Sequence, residues 1–529
     1  MPKQHSSRRL GQNIIQIVRC ALLLGGLFSA ALAACAEPEI TTAEGRLGGR
    51  SEDGLDVYRG IPYAAPPSGA LRWRAPQPHA SWQGLRAAQS FGDDCVQIPM
   101  SAPPGPGFTR PQSEDCLYLN VWVPQGEQGK RLPVMVWIHG GAFIMGSGAW
   151  PCYSGRALAQ QGVIVVTLNY RLGRFGFFAH PALSHESHGE PLGNYGLLDQ
   201  IAALHWVRRN IAAFGGDPHR VTVFGESAGA TSVNALLISP LADGLFDQAI
   251  SESSGAGRDL PTMSEAESAG KSWATSLGID GGDASALRAL PADTVQRSAN
   301  AAPAAMDPVI DGRILGMNLL DAFRQGLQHK LPYLVGTNSY EYSLLKWLPG
   351  ALDQMYRHLG SNGEAALAPY LRDAQGKPTP RSLAEQQLWS DYFMVSPAHF
   401  IAARMAAAGV PVWLYRFSYV PLARRGQVPG TAHGAELPYV FGNVDGPSMY
   451  GEGAQDAAMA LVVSAYWASF AKSGNPNGRA AVRWPPYNAR KEPLLDFTDD
   501  GPLARRSFDH DKMDMLRRQR PRQPKTNGQ

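Results

Sequence analysis

The sequence predicts an α/β fold built on a mainly parallel sheet, and three features point that way. Apolar, β-branched runs at 132–138, 163–170 and 221–224 are short, continuous and free of charge, as strands buried on both faces are. Helical stretches at 197–213 and 230–238 lie between and after them, the alternation that packs helices over parallel strands. The composition, 44% hydrophobic and 18% charged over 529 residues, supplies a large core and excludes a disordered or fibrous chain. Length alone allows two to four domains, although α/β enzymes often run longer as one.

Taken in order, residues 1–34 read as an export signal. Arg8, Arg9 and Arg19 precede the apolar run Ala21-Leu-Leu-Leu-Gly-Gly-Leu-Phe-Ser-Ala-Ala-Leu-Ala-Ala34, which is too short to span a bilayer comfortably and ends in small residues. The end, Leu32-Ala33-Ala34-Cys35, resembles a lipobox, whose cysteine becomes the lipid-modified first residue. An ordinary small-residue cleavage site that includes Cys35 is the alternative. The leader holds four cations (Lys3, Arg8, Arg9, Arg19) and no acid, so its removal takes the formal charge from +3 to −1. A near-neutral mature chain has no general attraction to nucleic acid. Contact with a membrane is expected only through the lipid, with 35–40 as a short tether.

Export makes the other cysteines intelligible. Cys95 and Cys116 lie about twenty residues apart in a Pro/Gly-rich stretch, and their pairing in an oxidising compartment closes one loop, worth roughly 3 kcal/mol in the chain-entropy model. Cys152 reads as a packed thiol, since no base is near it in sequence. No Cys-x-x-Cys or His-rich spacing suggests zinc, and neither metal nor cofactor is expected.

The folded part is expected from Thr41, through turn-rich segments at 59–67 and 71–76. The strand at 132–138 runs into His139-Gly-Gly-Ala-Phe143, where glycines let bare backbone N–H groups approach a ligand, as an oxyanion site requires. A plain glycine turn after a strand is the competing reading. An amphipathic helix at 197–213 ends at Phe214-Gly-Gly-Asp-Pro218. Then Val221-Thr-Val-Phe-Gly-Glu-Ser-Ala-Gly-Ala230 sets Ser227 on a sharp turn between strand and helix. The turn lifts the hydroxyl over the sheet, with helix N–H groups behind it. The bland reading of Ser227 is a helix N-cap. Further strands are expected at 248–254, 332–338 and 412–419, and helix at 255–305. The Arg/Pro-rich end after Arg517 reads as a loose tail.

With these motifs in hand, the chain resembles the type-B carboxylesterases, the cholinesterase/carboxylesterase family of α/β hydrolases. The resemblance spans about 41–498. It rests on Ser113-Glu-Asp-Cys-Leu-Tyr-Leu-Asn-Val121, His139-Gly-Gly-Ala-Phe143, Asn194-Tyr-Gly-Leu-Leu-Asp-Gln200, Phe214-Gly-Gly-Asp-Pro218 and Phe224-Gly-Glu-Ser-Ala-Gly-Ala230. With its export leader the overall form resembles bacterial para-nitrobenzyl-esterase-like members.

What the resemblance implies is a serine ester hydrolase acting on a small-molecule ester, with helical insertions forming a gorge. The family acid lies in a segment of form G-x-N-x-D-E-G. Gly336-Thr-Asn-Ser-Tyr-Glu-Tyr-Ser343 matches it and assigns Glu341, with Tyr340 and Tyr342 in place of the usual Asp and Gly. The family histidine lies in H-G-x-E, matched by His433-Gly-Ala-Glu436. Ser227, Glu341 and His433 follow the α/β-hydrolase chain order. Gly141, Ala142 and Ala228 would supply the oxyanion N–H groups. In cholinesterases a tryptophan in the first disulfide loop holds quaternary ammonium groups. The loop between Cys95 and Cys116 has Phe108 as its only aromatic, which disfavours choline esters.

The implied organisation is one catalytic domain over 41–500, followed by a C-terminal extension with a disordered basic tail over 501–529. A non-catalytic binding member of the same fold, or an amide or thioester hydrolase, are the alternatives. Oligomeric state is left open.

Overall fold

The computed structural model describes residues 37–98, 107–127, 129–187, 192–279, 283–297, 306–444, 454–478, 482–506 and 510–519. The leader, Cys35, the start of the tether and the last ten residues lie outside them.

Eleven strands form the main sheet: β1 (Arg50–Glu52), β2 (Leu55–Pro62), β3 (Tyr118–Pro124), β4 (Leu132–Ile138), β5 (Ile164–Leu168), β6 (Gly216–Glu226), β7 (Gln248–Glu252), β8 (Tyr333–Asn338), β9 (Val412–Phe417), β10 (Pro493–Thr498) and β11 (Gly501–Arg506). Their spatial order is β1-β2-β3-β5-β4-β6-β7-β8-β9-β10-β11. The seven strands from β5 to β10 run parallel, and antiparallel strands close both ends. The parallel strands therefore share one carboxyl edge, where ligands of open α/β sheets bind.

Alternation along the strands feeds two cores. Val136 stands opposite Val166 and Val223 in register, and all three face one core. Their neighbours Trp137 and Phe224 face the other. The first core is covered by α1 (Tyr195–Asn210), α2 (Ala228–Ile238) and, further along the chain, Ser396–Ala407; the second by Ala454–Ser473. Trp137 packs on Tyr153, Phe224 and Phe441 with ring centroids 5.0, 4.8 and 5.0 Å apart. Such pairs contribute about 0.5–1.5 kcal/mol each beyond their buried area. A third core gathers Met355, Leu388, Trp389, Tyr392 and Phe393 from the segment between β8 and β9.

Three expectations need correction. The stretch at 197–213 is helical but not amphipathic: α1 is buried nearly all round, and its last turn tightens over Ile211–Phe214 before Gly215 reverses the chain at φ 82°. The N-terminal segment covers its outer end, with Glu44 accepting from Asn210 Nδ2 at 3.0 Å and Asn210 Oδ1 accepting from Ala43 N at 2.9 Å. The boundary drawn at residue 500 falls inside a hairpin. β11 pairs with β10, and the following helix His510–Gln519 sends Met513 and Leu516 into the third core. β11 hid because its Pro502, Arg505 and Arg506 suit a solvent-facing sheet edge, not a buried strand. At the other end, Glu39–Thr41 already pairs with Arg46–Gly48, so ordered backbone begins within the expected tether.

Cys95 and Cys116 form a disulfide, and Cys152 is a buried free thiol whose pKa burial raises. No helix among the described residues is long and apolar enough to cross a membrane.

Candidate active site

β6 delivers Ser227 to the carboxyl edge in a conformation that serine rarely adopts, φ 57° and ψ −120°. Backbone of this kind costs about 1–3 kcal/mol and persists where the surroundings enforce it. Here the enforcement is contact. A Cβ on Gly225 would lie 2.6 Å from the carbonyl carbon of Gly229, and one on Gly229 only 2.0 Å from Ile138 O. Only glycine on both sides lets strand end, helix start and neighbouring strand meet. Ser227 N donates to Glu252 O at 2.9 Å, and Thr231 N returns to Ser227 O at 2.9 Å, so the turn is fastened to β7 and to α2. Ser227 therefore precedes α2 as an N-cap would, but its strained φ and ψ are not those of a cap.

The loop after β4 lies directly against this turn. A Cβ on Gly140 would come within 3.1 Å of Ser227 Cβ, and within 2.8 Å of Glu226 O. Gly141, Ala142 and Phe143 follow with φ of 103°, 54° and 62°. Three successive left-handed residues, two of them not glycine, mark a loop held for function. Its base is fixed by Gly173 N, donating to Phe143 O at 2.7 Å, and by Tyr170 Oη, donating to His139 O at 2.9 Å. His139 itself stacks on Tyr170 with centroids 4.4 Å apart, and burial pushes its pKa down to about 4, opposed by its bond to Gly140 O. It is a neutral prop for the loop.

The loops after β8 and β9 are sewn together. Asn338 Nδ2 donates to Ala432 O at 2.8 Å, Tyr340 N to Thr431 O at 2.9 Å, and His433 N to Ser343 Oγ at 3.0 Å. Glu341, wholly buried, stands with Oε2 at 2.6 Å from His433 Nδ1, and its Oε1 accepts from Asn338 N at 2.7 Å. The other imidazole nitrogen, Nε2, lies 3.0 Å from Glu226 Oε1, but neither atom makes a hydrogen bond of good geometry. Burial alone would lower the His433 pKa. The charges of Glu226 and Glu341 outweigh it and hold the imidazole well above its ordinary value.

Behind the imidazole lie two further buried acids. Glu252 accepts from Trp467 Nε1 at 2.7 Å, and Glu436 accepts from the amide of Asn338. Burial, reinforced by the neighbouring carboxylates, raises both, Glu436 to about 8. Among the described residues no group of three or more His, Cys, Asp or Glu has the geometry to hold a metal ion.

Ser227, Gly141, Ala142, Ala228, Glu341 and His433 thus meet at one edge of the sheet, with Glu341 and His433 in direct contact. Glu226, Glu252, Glu436 and Asn338 were not singled out in the sequence. Three of them sat in plain view, in Gly-Glu-Ser, His-Gly-Ala-Glu and Gly-Thr-Asn, inside motifs read for a different member.

The carboxylesterase family model matches residues 36–515. The chain belongs to the carboxylesterase family. Among the relatives of this carboxylesterase is the fumonisin B1 esterase of Sphingopyxis macrogoltabida, 42% identical over 464 residues and covering 83% of either chain. The para-nitrobenzyl esterase of Bacillus subtilis (strain 168) is 39% identical over 477 residues, 86% of this chain and 94% of its own. Of solved structures, a PNB esterase superposes with TM-score 0.80 at 35% identity, over 91% of this chain and 99% of that one. A Geobacillus stearothermophilus carboxylesterase does so at 0.79 and 34%, over 90% and 99%. The carboxylesterase is accordingly an α/β hydrolase and a serine hydrolase of carboxylic esters, an enzyme and not a binding-only relative of the fold.

Proposed function

We propose that Ser227 is the nucleophile of this esterase, His433 its general base and acid, and Glu341 the acid that orients the imidazole. The observation that carries the reading is the 2.6 Å contact of Glu341 with His433 beside a strained serine. A serine hydroxyl attacks an ester carbonyl only as a base takes its proton. His433 Nε2, which no hydrogen bond occupies, takes that proton while Glu341 stabilises the imidazolium through Nδ1. The N–H groups of Gly141, Ala142 and Ala228 receive the oxyanion; losing one such donor costs roughly 3 kcal/mol. The proton then passes to the departing alcohol, leaving an acyl group on Ser227. Water, activated by the same imidazole, releases the acid and restores the serine.

Ser227→Ala tests the reading on a panel of carboxylic esters that includes para-nitrobenzyl esters and fumonisin B1, the compounds for which two relatives are named. The expected loss in kcat is about 10⁶ with the fold intact by circular dichroism. Residual turnover within a hundredfold of wild type would assign the nucleophile elsewhere.

We infer also that the enzyme is exported and held at a membrane by lipid on Cys35. Each buried CH₂ contributes about 0.8 kcal/mol, so two or more acyl chains anchor stably. Cys35→Ser should move activity from the membrane to the soluble fraction of a bacterial host. Wild-type protein recovered soluble, with an unmodified N-terminus at or beyond Ala36, would mean simple secretion.

A further inference from the structure

Arg171 and Arg174 lie three residues apart on the segment after β5, and each is only 3% exposed. Their surroundings differ completely. Arg171 is a satisfied structural arginine: Nε donates to Asp199 Oδ2 at 2.8 Å, Nη2 to Asp199 Oδ1 at 2.7 Å and Nη1 to Arg74 O at 2.9 Å. The Arg174 guanidinium makes no hydrogen bond and no ion pair among the described residues, and its Nη1 is buried without a partner. One face of it lies on the Trp273 ring, with Cζ 5.0 Å from the centroid. Its backbone is held rigidly, since Trp73 Nε1 donates to Arg174 O at 2.6 Å. Burial lowers its pKa to about 10 with no carboxylate opposing the shift, so the group remains a cation at neutral pH.

Its place in the fold is next to the proposed oxyanion loop. The preceding residue, Gly173, donates to Phe143 O, and Phe143 directly follows Ala142. The short turn Gly173–Gly176 that carries Arg174 packs against Ala292–Arg297, and Met306 Sδ stands 3.5 Å from the position a Cβ would take on Gly173. A desolvated cation without a counter-charge is destabilising, and pairing is the usual condition of its survival in an interior. A guanidinium with one face covered by an aromatic ring offers its edge, the geometry that grips a carboxylate with two parallel N–H bonds.

We propose that Arg174 is a specificity residue that binds a carboxylate carried by the ester substrate, so that the enzyme prefers acidic esters to neutral esters of equal length. This rests on the serine-hydrolase reading above, whose oxyanion loop fixes where the reacting carbonyl lies. The chemical class is the half-ester of a dicarboxylic or polycarboxylic acid.

The test compares 4-nitrobenzyl hydrogen glutarate with 4-nitrobenzyl pentanoate, which share leaving group and acyl length and differ in the terminal carboxylate. Wild-type kcat/KM should favour the glutarate about tenfold or more, and Arg174→Gln should lower that ratio about tenfold, chiefly through KM, with Arg174→Lys in between. A wild-type ratio at or below one, or an Arg174→Gln ratio within twofold of wild type, would overturn the proposal. Calorimetric binding of the half-ester to Ser227→Ala, with and without Arg174→Gln, reads the same contact without turnover. Equal affinity in the two proteins also overturns it, whether or not the triad is right. Free glutarate that binds without displacing the half-ester would make Arg174 an effector site and overturn the substrate assignment.

Discussion

His433 stands between two glutamates that come from different parts of the molecule and are treated differently by it. Glu341, on the loop after β8, has both oxygens engaged, one by Asn338 N and one by the imidazole. The loop that carries it is tied to the histidine loop at several points. Glu226, at the end of β6, approaches Nε2 at 3.0 Å with an oxygen that has no hydrogen-bond partner. Around it Glu252 Oε2, Glu436 Oε1 and Tyr415 Oη are likewise buried and unpartnered. The closed side fixes where the ring sits and which nitrogen carries hydrogen. The open side sets how much negative charge the ring feels.

The largest effect should come from the closed side. Glu341→Gln should lower kcat by about 10⁴ in steady-state ester hydrolysis, because a neutral amide neither orders the tautomer nor stabilises the imidazolium. Turnover within tenfold of wild type would reverse the comparison and give the orienting role to Glu226.

A smaller effect with a different signature belongs to the open side. In the proposed mechanism His433 must be neutral to accept a proton, and Glu226 helps to hold it protonated. Glu226→Gln removes that charge, so the His433 pKa should fall and the acid limb of the kcat/KM profile should move to lower pH. At the optimum the rate should stay within about tenfold of wild type. A limb that stays in place, or moves to higher pH, would mean that Glu226 does not set the imidazole's charge.

The mildest effect concerns stability. Glu436 titrates at about 8 in the folded protein against an ordinary 4.5, so across that window the folded state holds a proton that the unfolded chain has released. Its contribution is fully present below the lower value and drains away as pH rises towards the upper one. Glu436→Gln keeps an acceptor for Asn338 and cannot ionise. Its Tm should therefore fall less than that of wild type between pH 5 and pH 9. Parallel Tm curves for the two proteins would show that Glu436 stays ionised throughout.

The strands at the centre of the sheet were legible because burial on both faces leaves uninterrupted apolar runs, as in Leu132–Ile138. Gly225 and Gly229 announced the elbow because nothing larger fits there. The disulfide was expected because Cys95 and Cys116 lie about twenty residues apart in one Pro/Gly-rich stretch. Edge strands escaped notice: β11 is written in Pro and Arg, and its pairing with β10 has no periodic signal of its own. The carboxylate cluster escaped for another reason. Glu226, Glu252 and Glu436 are over two hundred residues apart at the extremes, and only the register of β6 beside β7 and the return of the loop after β9 bring them together. Arg174 looked like any other arginine until its lack of a partner among the described residues became visible in three dimensions.

The hairpin of β10 and β11 and the helix after it bear on how the chain is made. They are translated after β9, and they complete the sheet beside it and add Met513 and Leu516 to the third core. Until residue 498 has emerged, β9 presents a bare edge carrying Val412, Trp413, Leu414, Tyr415 and Phe417, all buried in the finished protein. Such an edge is a template for pairing with other chains. A chain truncated before residue 493 would therefore leave the 412–417 strand as an exposed, adhesive edge.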